Sequence, residues 1–67
     1  MLAEGTIVKI NRDDVGGTAK TVMVKDSYGP EKVGRVVYDK KGYVRVETLN
    51  GDDFWWFDIS DLEVIDG

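Results

Sequence analysis

Histidine and cysteine are absent from the 67 residues, proline occurs once, and Ser27 and Ser60 are the only serines. Without His or Cys there is no Ser-His-Asp or Cys-His nucleophile. Zinc and copper sites lose their usual nitrogen and sulfur ligands, and no disulfide can form. Both serines fall in expected turns with no base beside them, and no glycine-rich loop opens a helix to cradle a phosphate. These absences argue for a non-catalytic protein that needs neither metal nor cofactor. A chain without cysteine also fits a reducing cytoplasm. The longest near-apolar run, Phe54 to Phe57, is far too short to span a bilayer. The opening Met1-Leu2-Ala3-Glu4-Gly5 lacks the basic and apolar regions of a secretory leader. No membrane partner is expected.

The net charge is −4, and it is unevenly distributed. Residues 1–45 carry all nine Lys and Arg against six acids, a balance of +3. Residues 46–67 carry seven acids and no base, a balance of −7. Such asymmetry can steer a basic partner, or can simply reflect the solvent faces of alternating strands. An acidic chain is a poor general ligand for nucleic acid, whose affinity comes mainly from phosphates neutralised by Lys and Arg. Asp13-Asp14 and Asp52-Asp53 follow no calcium-loop spacing and read as solvated turns.

The apolar residues recur with period two, the signature of strands. Strands are expected over Thr6–Ile10, Thr21–Val24, Val33–Tyr38, Tyr43–Leu49, Phe54–Phe57 and Leu62–Ile65. Residues 11–32 form a long excursion, broken at Asn11–Asp14 and Gly16-Gly17, with room for a hairpin of its own and a turn over Asp26–Pro30. Gly34 marks a close approach or a sharp bend. Gly42 closes a tight, bulge-type hairpin, Asn50-Gly51 signals the next one, and Asp58–Asp61 suits a 3₁₀ turn. The whole reads as one all-β domain: an SH3-like five-stranded barrel, closed or nearly so, which removes free sheet edges. A chain of this length buries only about 60% of its unfolded surface, so few large apolar residues can be spared for display.

The pattern Gly5-x-x-Val8-x-Ile10, Val33-Gly34-x-Val36, Val44-x-Val46 and Phe57 five residues before Leu62 resembles the SH3-like electron-transport accessory domains. That family includes the small stromal subunit of photosystem I and the variable chain of ferredoxin–thioredoxin reductase. The resemblance implies the barrel fold and an accessory role in a photosynthetic or redox assembly. A bacteriophage protein seated on a host enzyme is equally compatible with the size and charge. Val33-Gly34-Arg35-Val36 is also similar to KOW motifs.

The run Phe54-Trp55-Trp56-Phe57 is the most informative segment. Successive strand residues point to opposite faces, so all four cannot enter one core. The family pattern puts Phe57, and with it Trp55, inside, which leaves Phe54 and Trp56 outside beside Tyr43 and Arg45 of the preceding strand. These four residues form the expected partner-binding face, unless the 11–32 excursion folds over it. Tyr28, ahead of Gly29-Pro30, is a second expected display residue. A protein partner is the first reading, with the isolated chain a monomer. The alternative is nucleic-acid binding through Arg35, Lys40, Lys41 and Arg45, with Tyr43 stacking on a base. A proline-peptide groove would need stacked aromatics near the first strand, where Thr6-Ile7-Val8-Lys9 stands instead.

Overall fold

The computed structural model describes residues 1–16 and 20–67; the Gly17 half of the expected Gly16-Gly17 break lies outside them. Seven strands form two sheets. They are β1 (Ile7–Ile10), β2 (Asp14–Gly16), β3 (Thr21–Met23), β4 (Val33–Lys40), β5 (Tyr43–Thr48), β6 (Phe54–Asp58) and β7 (Leu62–Asp66). A one-turn helix α1 (Val24–Tyr28) follows β3, and a 3₁₀ turn (Ile59–Asp61) joins β6 to β7. β2 and β3 pair as the hairpin of the long excursion. The other five strands form an antiparallel sheet in the order β6-β5-β4-β1-β7, in keeping with the expected all-β domain. Among the described residues the sheet is not closed into a ring: β6 and β7 are its two edges, where the sequence left a closed and a nearly closed barrel both open.

Alternation decides the core. Val44, Val46 and Thr48 of β5 are buried, as are Val8 and Ile10 of β1, Val36 of β4 and Phe57 of β6. Apart from Phe57 and Tyr28 this core is built from valines and one isoleucine. Strand β4 changes phase midway. Val36 pairs with Val46, but Tyr38 pairs with Arg45, so Val37 is an extra bulged residue. Beyond it Asp39 points inward and Tyr38 outward. The turn that follows has two residues, Lys41 and Gly42, both at positive φ (54° and 91°). That is a type I′ geometry, and not the bulge-type closure expected from sequence. Asp39 braces it by accepting hydrogen bonds from the Leu2 N–H (2.6 Å) and the Gly42 N–H (2.8 Å). Those two bonds hold its carboxyl below the ordinary 3.8.

The expected turn at Asp26–Pro30 begins instead inside α1. One helical turn is enough to place Val24 and Tyr28, at i and i+4, on the same side. Both are buried in the core. Tyr28 is therefore corrected from display residue to core residue, with 7% of its surface exposed. Its ring meets Phe57 edge-on at 5.9 Å and Trp55 at 6.1 Å. Its hydroxyl donates to the Val46 carbonyl oxygen (2.6 Å) and accepts from the Trp55 N–H (3.2 Å). Since Val46 and Trp55 are cross-strand partners, the phenol ties the excursion to the β5–β6 rung.

Burial raises the Tyr28 pKa well above the ordinary 10.0. A phenol that stays neutral in the fold but ionises when unfolded stabilises the protein fully below pH 10.0, and that contribution fades as pH rises further. Tyr28→Phe should lose about 1–3 kcal/mol at neutral pH, because the bonds of the hydroxyl to the Val46 carbonyl and from the Trp55 N–H both disappear. The difference between wild type and variant should then shrink above pH 10.0 in parallel denaturant titrations. A gap that is independent of pH would show that the hydroxyl is not buried as described.

Candidate functional site

The outer side of β4, β5 and β6 is set by the same register that builds the core. Three cross-strand rows lie there: Arg35–Glu47–Phe54, Tyr38–Arg45–Trp56 and Lys40–Tyr43–Asp58. Arg45 occupies the centre. Around it, Tyr38, Tyr43 and Phe54 keep 55%, 53% and 42% of their surface exposed. The described part of the long excursion therefore does not bury this face; β2 reaches only the rim beside β6.

The aromatic rings are ordered among themselves. Tyr43 stacks on Trp56 at 5.1 Å with 15° between planes, and Tyr38 meets Trp56 edge-on at 6.2 Å. Both are favoured aromatic arrangements. Trp56 is thus half-buried by its own neighbours, and less freely displayed than the sequence suggested. Trp55 is also half-buried, but on the inner side, against the core cluster. The Arg45 guanidinium carbon lies 3.7 Å from the Phe54 ring centroid, a close cation–π contact. Among the described residues Arg45 forms no ion pair, and its buried Nε has no hydrogen-bond partner.

Arg35 is differently placed. It pairs with Glu47 at 2.9 Å and reaches the Leu49 carbonyl oxygen at 3.4 Å. Of the residues suggested for a nucleic-acid surface, Arg35, Lys40 and Arg45 share the outer face and Lys41 sits in the adjoining turn. Glu47 and Asp58 lie among them on the same face.

Four of the five residues singled out from sequence, Phe54, Trp56, Tyr43 and Arg45, come together here, and Tyr28 does not. Tyr38 was missed. Simple alternation from Val36 would turn it inward, and only the bulge at Val37 brings it beside Trp56. The residues did hold one signal. A two-residue turn at Lys41-Gly42 sets Lys40 opposite Tyr43 and therefore Tyr38 opposite Arg45. That register conflicts with an inward Val36 unless one residue is extra.

No group of three or more acidic residues among the described residues is placed to hold a metal ion, and no helix there is long and apolar enough to cross a membrane. In comparison with known proteins, no family model, curated relative or solved structure matches this chain.

Proposed function

We propose that this chain is a non-catalytic protein-interaction module, an accessory subunit or an effector, whose partner sits on the outer face of β4–β6. One observation carries the reading: Arg45, stacked on Phe54 and without an ion-pair partner among the described residues, is ringed by exposed aromatic rings. Tyr, Trp and Arg are the residue types that most often anchor protein interfaces. The tyrosine and phenylalanine edges offer apolar area, while the guanidinium offers hydrogen-bond donors to a partner's carboxylate or carbonyl. The lack of His and Cys in the sequence supports a role without catalysis.

Affinity capture from native lysate, with wild type, Trp56→Ala and Arg45→Met as baits, tests the face. A partner held there should bind each variant at least about thirtyfold more weakly, the equivalent of about 2 kcal/mol. Tyr38→Ala, a change at an exposed ring, should weaken binding while leaving the thermal midpoint nearly unchanged. Added salt should reduce affinity only modestly, since rim charges act mainly on association rate. A steep salt dependence that flattens in the Lys40/Lys41 double alanine variant would overturn the proposal in favour of nucleic acid.

A further inference from the structure

The β6 edge has a chemistry distinct from the aromatic face. Thr48 N–H donates to the Asp53 carbonyl oxygen (2.9 Å) and Ile59 N–H to the Gly42 carbonyl oxygen (2.7 Å). The β5–β6 ladder therefore runs through the odd-numbered residues of β6. The backbone groups of Phe54, Trp56 and Asp58 point away from β5, and among the described residues β6 has no other neighbouring strand. The Phe54 N–H is taken by the Asp53 carboxylate at 2.9 Å. The Phe54 carbonyl, both backbone groups of Trp56 and the Asp58 N–H have no partner among the described residues.

This edge borders a groove. The space, about 450 Å³, runs between β6 and the β2 side of the excursion. Trp55, Val15, Gly16 and Arg12 line it, together with Tyr43 and Asp58 of the outer face. Gly16 has no side chain to fill it. Exposed edges in monomeric proteins are commonly blunted by lysine, proline or a bulge. Strand β6, Phe54-Trp55-Trp56-Phe57-Asp58, contains neither residue, and the two register shifts of this sheet lie elsewhere, in β4 and in the β1–β7 pairing.

Charge specifies the occupant. Asp52 and Asp53 stand at one end of β6 and Asp58 at the other, within a segment that has no base. Hydrogen bonds from the Ser60 N–H (3.0 Å) and hydroxyl (2.9 Å) keep the Asp58 carboxyl below its ordinary 3.8, and so ionised. The one cation on the groove wall, Arg12, is already shared between Asp14 (3.7 Å) and Asp61 (3.6 Å).

We infer that the β6 edge takes up an extended, basic segment of a partner protein as an added β-strand, with apolar side chains toward Trp55 and Val15 and a Lys or Arg opposite Asp58. The mode is β-augmentation, in which main-chain bonds give affinity and alternate side chains give specificity. The inference rests on reading the domain as protein-binding, but it does not require the Arg45-centred face to be the contact.

A displayed library of short random peptides, panned on the full chain, tests it. Enrichment of alternating apolar and basic residues, without proline in the centre, is expected. N-methylation of the selected peptide at one set of alternate positions should weaken binding about tenfold for each hydrogen bond removed, while the other set is tolerated. The Trp56 amide should gain protection from hydrogen exchange in the complex. Proline-rich or acidic selections, or no enrichment, would overturn the inference. So would binding that ignores N-methylation but is lost in Arg45→Met, and that outcome would leave the aromatic-face proposal standing. Binding that depends on N-methyl position but ignores Arg45→Met and Tyr38→Ala would uphold the edge and sink the face.

Discussion

Phe57→Ala should leave the domain largely unfolded at room temperature. Phe57 is 1% exposed and is the largest fully buried side chain. The residues around it are mostly valines, too short and too stiff at χ1 to reach into the space its ring would vacate. Truncating a buried Phe costs about 3–5 kcal/mol. At about 0.05–0.15 kcal/mol per residue, a chain of this size holds only about 3–10 kcal/mol in total. Tyr28 would also lose the ring it meets edge-on, and with it part of what positions its hydroxyl at the Val46–Trp55 rung. Far-ultraviolet circular dichroism and a denaturant titration are the measurements. Phe57→Leu, which keeps most of the volume, should retain a cooperative transition. A Phe57→Ala variant as stable as wild type would mean that the core is not organised around this ring.

Gly34→Ala should be nearly as damaging, although it adds only a methyl group. A Cβ at residue 34 would lie 2.5 Å from Val46 Cγ1, 2.7 Å from the Glu47 carbonyl oxygen and 2.9 Å from Tyr28 Cε2. None of the three can easily give way. Val46 is fully buried, the Glu47 oxygen belongs to the β5 backbone, and Tyr28 is pinned at its hydroxyl. Either β4 and β5 separate at this point, or the tyrosine leaves the core with its rung. A cost of about 3 kcal/mol or more is expected, at the upper end of overpacking. The two routes have different signatures. Expulsion of Tyr28 should alter near-ultraviolet circular dichroism and Trp55 fluorescence while the far-ultraviolet sheet signal survives; separation of the strands should remove both. A variant with native stability and spectra would contradict the close approach described.

The sequence is most legible where strands alternate cleanly. In β5, Val44, Val46 and Thr48 name the inner side by spacing alone, and the four-residue aromatic run could then be divided between faces. Gly34 was recognisable as a tight spot because a strand interior otherwise gains nothing from glycine. Tyr28 was not recognisable. Its neighbours Gly29-Pro30 read as a turn, and only the preceding helical turn, too short to show a period of 3.6, carries it inward with Val24. Whether the sheet closes fully or stops short was equally hidden, because closure depends on how strongly the sheet curls and not on which residues alternate. Trp56 lies between these cases. Its side was readable, but its shielding by Tyr38 depends on the bulge one strand beyond the neighbouring one.

The bulge at Val37 also governs how this sheet tolerates changes of length. Upstream of it, β4 contributes Gly34 and Val36 to the interior; downstream, it contributes Asp39. The strand thus carries two reading frames joined at one residue. Deleting Val37 would merge them, because Val36 and Tyr38 already stand opposite the consecutive β5 residues Val46 and Arg45. Val36 would stay inward, Tyr38 outward and Asp39 on the N–H groups of Leu2 and Gly42, and only the local bend and added twist of the bulge would be lost. A loss of one residue here is therefore absorbed in register, whereas a loss within β5, which carries no extra residue, would turn part of its Val44-Val46-Thr48 row outward.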